Sequence, residues 1–286
     1  MANARLIDAD DRKRKIPMRV LVLGMCRTGT SSIAEALTKL GYNPHHMTSV
    51  MADRSQIPLW HEAANVTFLP DSERPTHLRG LPPYGRAEFD KLLGDYDAVT
   101  DLPSALFWKQ LIEAYPDAKV VLTNRKYEDW ERSMNTSIWM MLQWKLTTFI
   151  RTFNLTPMAP MVRMVHTFFK VHNGNHYKPP ESKAAYERHY DNIRNFVPKE
   201  RLLEFGPQFT WEPLCEFLEH KVPEEPYPRL NDSKMMRVRL DDGYKMMSMF
   251  VLLKVVLPGA AVAGLAAASY LCRDSIWDYV MKFRRG

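Results

Sequence analysis

The 286-residue sequence predicts an α/β domain built on a parallel sheet, in three layers, and the patterning of two segments and the helices after them carries that prediction. MRVLVLG (18–24) and AKVVLTN (118–124) are continuously apolar and rich in β-branched residues, as strands buried on both faces are. Each is followed by a segment whose apolar residues recur at helical spacing. Strand–helix alternation of this kind covers both faces of a parallel sheet with helices.

Composition sets the bounds. A hydrophobic share of 45% and a charged share of 25% are ordinary for a folded chain, and the length suits one large domain. The net charge of +6 favours an anionic ligand or anionic lipid nearby. No zinc spacing or RNA-binding motif accompanies it, so nucleic acid is not expected as a partner. Cys26, Cys215 and Cys272 are too scattered for a disulfide framework or a metal cluster, which suits a reducing compartment.

The elements follow in order. Residues 1–16 are charged, without a secretory signal, and read as a solvated, flexible arm. A domain over 17–240 opens with the first strand, and the helix SSIAEALTKLG (31–41) closes on Gly41. Residues 43–88 mix proline, histidine and turn residues without a clear period. DYDAVTDLP (95–103) reads as a second strand, and Pro103 starts a helix, SALFWKQLIEAY. Pro116-Asp117 makes a turn into the strand 118–124, and YEDWERSMNTSIWMML reads as one further helix. The aromatic, Met-rich stretch 138–170, broken by Pro157 and Pro160, reads as core or lid helices or as the lining of an apolar acceptor cavity. Helix, strand and helix follow over 183–220, and VPEEPYPRLND is a proline-rich exit.

The C-terminal segment differs. Residues 255–272 are uncharged and mostly apolar or small, and the stretch 246–272 contains one charge, Lys254. About 20 such residues span a bilayer. A transmembrane helix over 246–272 with a short basic tail, 273–286, carrying Lys282, Arg284 and Arg285 predicts a tail-anchored protein whose domain faces the cytosol. The competing reading is an Ala-rich core helix.

The strongest local signal is GMCRTGTSS (24–32), set between a buried strand and a helix N-terminus. Unpaired backbone N–H groups and the positive end of the helix dipole make this position a P-loop, an anion cradle. Thr28, Thr30, Ser31 and Ser32 add hydroxyls, Gly29 allows close approach of the backbone, and Arg27 offers a guanidinium fork. An NTPase loop carries Lys where this chain has Thr30, so the residue that neutralises nucleoside triphosphate is missing. A sulfuryl group carries less charge than a phosphoryl group and its transfer proceeds without a metal, so the loop suits a sulfate donor better than ATP. Further on, Arg125 ends the strand 118–124 and Ser133 lies eight residues later, a pair able to grip one phosphate from two sides.

Together these motifs resemble the PAPS-dependent sulfotransferases (PAPS is 3′-phosphoadenosine 5′-phosphosulfate). RTGTSS is similar to that family's 5′-phosphosulfate loop, and VVLTNRKYEDWERSM to its 3′-phosphate element. TDLP (100–103) stands where many members have T-H-x-P, and WEPLCEFLEHKVPEEPYPRLND resembles the C-terminal helix and the P-x-x-x-[FY]-P-x-x-N tail. The resemblance spans residues 18–232 and implies a three-layer P-loop fold with PAPS as co-substrate and no metal. It implies that Arg27, Thr28, Gly29, Thr30, Ser31 and Ser32 hold the phosphosulfate, and Arg125 and Ser133 the 3′-phosphate. Asp101 takes the position of the catalytic base, with Arg27 assisting; a helix cap is the alternative role for Asp101. The chain departs from the family at Ile33, where an aromatic often stacks on adenine, leaving Trp60 as a candidate. It departs again after Asn231, where Arg237 and Arg239 are candidates for a missing Arg-Lys-Gly element. His45 and His46 read as surface or pocket residues.

The expected activity is transfer of a sulfuryl group from PAPS to a hydroxyl or amine of an apolar small-molecule acceptor. The alternatives are a catalytically inactive, membrane-tethered binding protein of the same fold, and a P-loop kinase or NTPase.

Overall fold

The computed structural model describes residues 4–206, 208–230 and 232–273, together with Trp277 and Val280. Its centre is one parallel sheet of β1 (Val20–Val22), β2 (Pro44–His45), β3 (Ala98–Val99), β4 (Lys119–Thr123) and β5 (Leu202–Phe205), in the spatial order β2-β3-β1-β4-β5. The helices are α1 (Thr30–Lys39), α2 (Met47–Ala52), α3 (Gln56–Phe68), α4 (Arg86–Leu92), α5 (Trp108–Ala114), α6 (Tyr127–Asn135), α7 (Ile138–Gln143), α8 (Lys145–Phe153), α9 (Ala159–Asn173), α10 (Glu181–Phe196), α11 (Trp211–Leu218), α12 (Asp232–Val251) and α13 (Leu257–Leu271).

The apolar runs behave as strands buried on both faces should. Val20, Val22 and Val121 point to one side and pack with Ile33 and Leu37 of α1 and Leu214 and Leu218 of α11. Their neighbours Leu21, Leu23, Val120 and Leu122 point to the other and join Trp60 of α3, Leu111 of α5, Phe168 of α9 and Tyr190 of α10. The period of two along each strand thus separates two cores, and the expected three-layer α/β architecture is present. Gly24 is fixed by sterics, since a Cβ there would meet Thr123 Oγ1 at 2.0 Å and the Thr123 carbonyl oxygen at 2.1 Å.

Four expectations need correction. Residues 4–16 are not a solvated arm. Ile7 is fully buried, and Arg5 pairs with Asp8 at 2.7 Å and with Glu88 at 2.6 Å. The Glu62 carboxylate accepts from Leu6 N at 2.6 Å and from Ile7 N at 3.2 Å. The charges that read as solvation are partners for acidic residues far along the chain. The strand 95–103 shrinks to Ala98–Val99, because the chain turns at Asp101, whose φ is +66°. The helix expected from Pro103 begins as a 3₁₀ turn, Ser104–Phe107, before α5. The single helix over 127–142 is two, α6 and α7, broken where Ser137 leaves helical geometry.

The unread stretch 43–88 contains β2, α2, α3 and the start of α4. At the C-terminus, α12 and α13 are joined by one π-helical turn, Leu252–Val256. Pro258 lacks the N–H that would bond four residues back, which is a physical cause for a widened turn at this point. Met236–Leu271 is helical over 36 residues, long and apolar enough to cross a membrane, and 6% of its most apolar window is buried. The basic residues Lys282, Arg284 and Arg285, and Asn231 of the tail motif, lie outside the described residues.

Candidate active site

Arg27, Asp101 and Arg125, singled out by sequence, converge on the C-terminal edge of the sheet, where His46 joins them. Arg27 follows β1, His46 follows β2, Asp101 follows β3 and Arg125 follows β4. With β1 lying between β3 and β4, this edge is the topological switch point, where open parallel sheets bind ligands.

The loop after β1 is pinned from behind. Trp130 of α6 donates to the Cys26 carbonyl at 2.8 Å. The Tyr190 hydroxyl accepts from Met25 N at 3.2 Å and donates to the Thr123 carbonyl at 2.9 Å. His189 Nε2 lies 2.8 Å from the Leu23 carbonyl, and burial lowers its pKa to about 4, so the neutral ring donates there. The Thr28 hydroxyl donates to the Met25 carbonyl at 2.6 Å and accepts from Thr123 Oγ1 at 2.8 Å. Gly29 takes φ +95° and starts α1, and a Cβ there would sit 2.8 Å from Phe209 Cζ. The left-handed backbone and the aromatic neighbour both require glycine.

Two cavities flank this loop, and Arg27 lines both. The first, about 680 Å³, is bordered by Arg27, Thr28, Gly29, Ser32, Arg125 and Arg229, with Phe209 and Tyr227 beside them. Three guanidinium groups around an open polar cavity at a helix N-terminus fit an anion with several phosphates or sulfates. Phe209 and Tyr227 are stacked, with ring planes 15° apart and centroids 6.2 Å apart, so an aromatic surface for a base lies here. The Tyr227 hydroxyl is buried and has no hydrogen-bond partner among the described residues. Ser133 lies within the same group, because Arg27 Nε donates to its hydroxyl at 3.2 Å, and Arg125 Nη1 reaches the Arg27 carbonyl at 3.4 Å. Ser32 Oγ already accepts from Leu230 N at 3.1 Å, which folds the proline-rich tail over the loop.

The second cavity, about 220 Å³, is mostly apolar. Arg27, Thr30, Ser31, His46, Asp101 and Arg239 are polar residues of its lining, beside methionines from α7, α9 and α12. His46 Nε2 is 3.3 Å from Asp101 Oδ2. His46 Nδ1 accepts from Thr48 N at 3.1 Å, so in the neutral ring the proton sits on Nε2. Asp101 serves the helical turn after it through its main-chain carbonyl, which accepts from Ala105 N at 2.9 Å, while its carboxylate faces His46.

Trp60 is not a base-stacking residue. It is fully buried among His45, Phe89 and Phe107, on the far side of the site. Of the two late arginines, Arg239 lines the apolar cavity and neither lines the polar one. Sequence reasoning missed His46, Phe209, Tyr227 and Arg229. A strand ending at His45 would have revealed His46, but β2 has two residues and one is proline. Tyr227 and Arg229 stand inside the tail motif EPYPRLN, whose proximity to the loop only the fold discloses.

A sulfotransferase domain model matches residues 19–236. Over 218 residues the chain is 36% identical to Ava biosynthesis cluster protein M of Aspergillus versicolor, an alignment that takes in 74% of this chain and 80% of that protein. A parallel α/β sheet with cationic residues at its switch point is the class that fold and site define. This chain belongs to the sulfotransferase domain family.

Proposed function

We propose that this protein moves a sulfuryl group from PAPS to a hydroxyl or amine of an apolar acceptor, held at a membrane by its C-terminal helix with the α/β domain in the cytosol. The observation that carries the reading is the position of Arg27, which borders both the polar and the apolar cavity. A group passed from a nucleotide in one to an acceptor in the other must cross at this residue.

In this reading the backbone N–H groups at the start of α1, with Arg27, Thr28, Gly29, Thr30, Ser31 and Ser32, hold the phosphosulfate. Arg125 and Ser133 hold the 3′-phosphate, Arg229 adds a further charge, and Phe209 and Tyr227 face the adenine. Asp101 takes the proton of the acceptor as its oxygen or nitrogen bonds to sulfur. The bond from sulfur to the bridging oxygen breaks, and its electron pair stays on the 5′-phosphate, beside Arg27. His46 is a positioning residue 3.3 Å from Asp101: with Nδ1 engaged by Thr48 N, the proton of its neutral ring is on Nε2, and it has no lone pair to offer the acceptor. The free cysteines Cys26, Cys215 and Cys272 suit the cytosolic side.

The test is thermal unfolding of the full chain with and without adenosine 3′,5′-bisphosphate. Bisphosphate at about 100 times its Kd should stabilise the fold by roughly 2.7 kcal/mol. The shift should vanish in Arg125→Ala. A protein indifferent to the bisphosphate but stabilised by ATP with magnesium would sink the reading.

A further inference from the structure

We infer that the helix leading into the apolar span is itself a wall of the acceptor cavity, and that the acceptor is a membrane-dissolved lipophile that reaches Asp101 from the bilayer. The inference rests on the sulfuryl-transfer reading of the same site and names its acceptor class.

Met236, Arg239, Leu240, Gly243, Met246 and Met247 line the cavity. Their spacing keeps them on one face of α12, turned towards α7 and α9. The cavity's 220 Å³ falls below the roughly 300–1,000 Å³ of sites that enclose a drug-sized ligand. It therefore takes the reacting end of a long molecule and leaves the remainder outside. Methionine supplies a lining that adapts to irregular apolar shapes.

The remainder has an apolar path. Met247 and Val251 of α12 pack with Ile150 and Ala159, and Val255 of the π turn joins the same cluster. That seam runs from the cavity wall to the residue range where the span begins. Leu252–Val256 and α13 together cover about 30 Å at 1.5 Å per residue, the thickness of a bilayer's hydrocarbon core. The cavity wall thus lies on the turns of the same helix just before lipid. On α8, whose Ile150 belongs to that same cluster, Phe149 and Phe153 are exposed, their ring centroids 4.9 Å apart.

The decisive experiment reconstitutes the full chain in phosphatidylcholine vesicles that contain a long-chain alcohol carrying a photoactivatable diazirine, and maps the adducts by mass spectrometry. Adducts are expected on the cavity face of α12 and on α7 or α9, in addition to α13. Gly243→Trp fills the cavity, because nothing stands within 4 Å of the Cβ position at Gly243. It should cut the cavity adducts at least about tenfold and leave those on α13 and the bisphosphate-induced thermal shift unchanged; Met246→Trp serves the same purpose if Gly243→Trp loses that shift. Adducts confined to α13, or cavity adducts that ignore both substitutions, would overturn the inference. Cavity adducts without any bisphosphate shift in the wild type would support the lipophile site while removing the transfer reading.

Discussion

In the proposed reaction Asp101 is the proton acceptor, and His46 lies beside it with Nε2 3.3 Å from Oδ2. Asp101→Asn keeps the shape and removes the proton acceptor, so sulfate transfer should fall by about 10²–10⁴-fold while bisphosphate binding stays within twofold. His46→Gln should cost less and should act on kcat more than on KM, as expected of a residue that orients the base. Equal losses of binding in both variants would instead mark the pair as structural. Buried histidines contribute to the pH response of stability, His45, His172 and His189 most directly. Burial lowers His45 and His189 to about 4, below their ordinary 6.5. Between those values the unfolded chain binds protons that the folded chain refuses. Stability is therefore complete above about pH 6.5 and falls as pH drops toward 4, by up to roughly 1.4 kcal/mol per group per pH unit. A Tm series from pH 7.5 to 4.5 checks this, and a flat profile would show that these rings are protonated in the fold.

Among the elements, the loop after β1 owes its shape to α6 and α10 as much as to its own residues. Tyr190→Phe removes a hydroxyl that serves both Met25 N and the Thr123 carbonyl, leaving two buried groups without that partner. The expected loss is about 1–3 kcal/mol for each group left unsatisfied, read from the denaturation midpoint, with weaker bisphosphate binding read by calorimetry. An unchanged midpoint and an unchanged Kd would mean that the loop holds itself. Legibility differed among elements for a related reason. β1, β4 and α1 were readable because their patterns are local: continuous apolar runs and a helical period. β3 was legible as a strand over 95–103 but too long at both ends, whereas β2 has two residues, too few for any period, and Pro44 argues against a strand. His46 was therefore passed over although it sits at a strand end beside Asp101. Arg27, Gly29, Arg125 and Ser133 were legible as one motif each, and the structure brings them to one place. Arg229, Phe209 and Tyr227 reach the site through long-range folding that no spacing encodes. The N-terminal residues misled for the converse reason: charge looks like solvation until the partners Glu88 and Asp90 are located.

Across the whole molecule, the apolar span and one wall of the apolar cavity belong to the same helix, so in the proposed function membrane attachment and acceptor access should be separable from nucleotide binding. Val262 is 67% exposed near the middle of the apolar stretch and touches neither cavity. A charge at that depth costs about 2.5–3.5 kcal/mol on insertion scales, so Val262→Arg should shift the protein from membrane to soluble fractions. Wild type should resist alkaline carbonate extraction and float with vesicles, whereas Val262→Arg should be released. The bisphosphate shift should be the same in both, because the guanidinium groups of the polar cavity lie on the loop after β1, the end of β4 and the tail after α11. If the span were a core helix, its surface would be covered by the rest of the chain, yet only 6% of its most apolar window is. Val262→Arg would then destabilise the fold and lose nucleotide binding together with solubility. Release from membranes with nucleotide binding intact therefore separates an anchor from a core helix in one protein preparation.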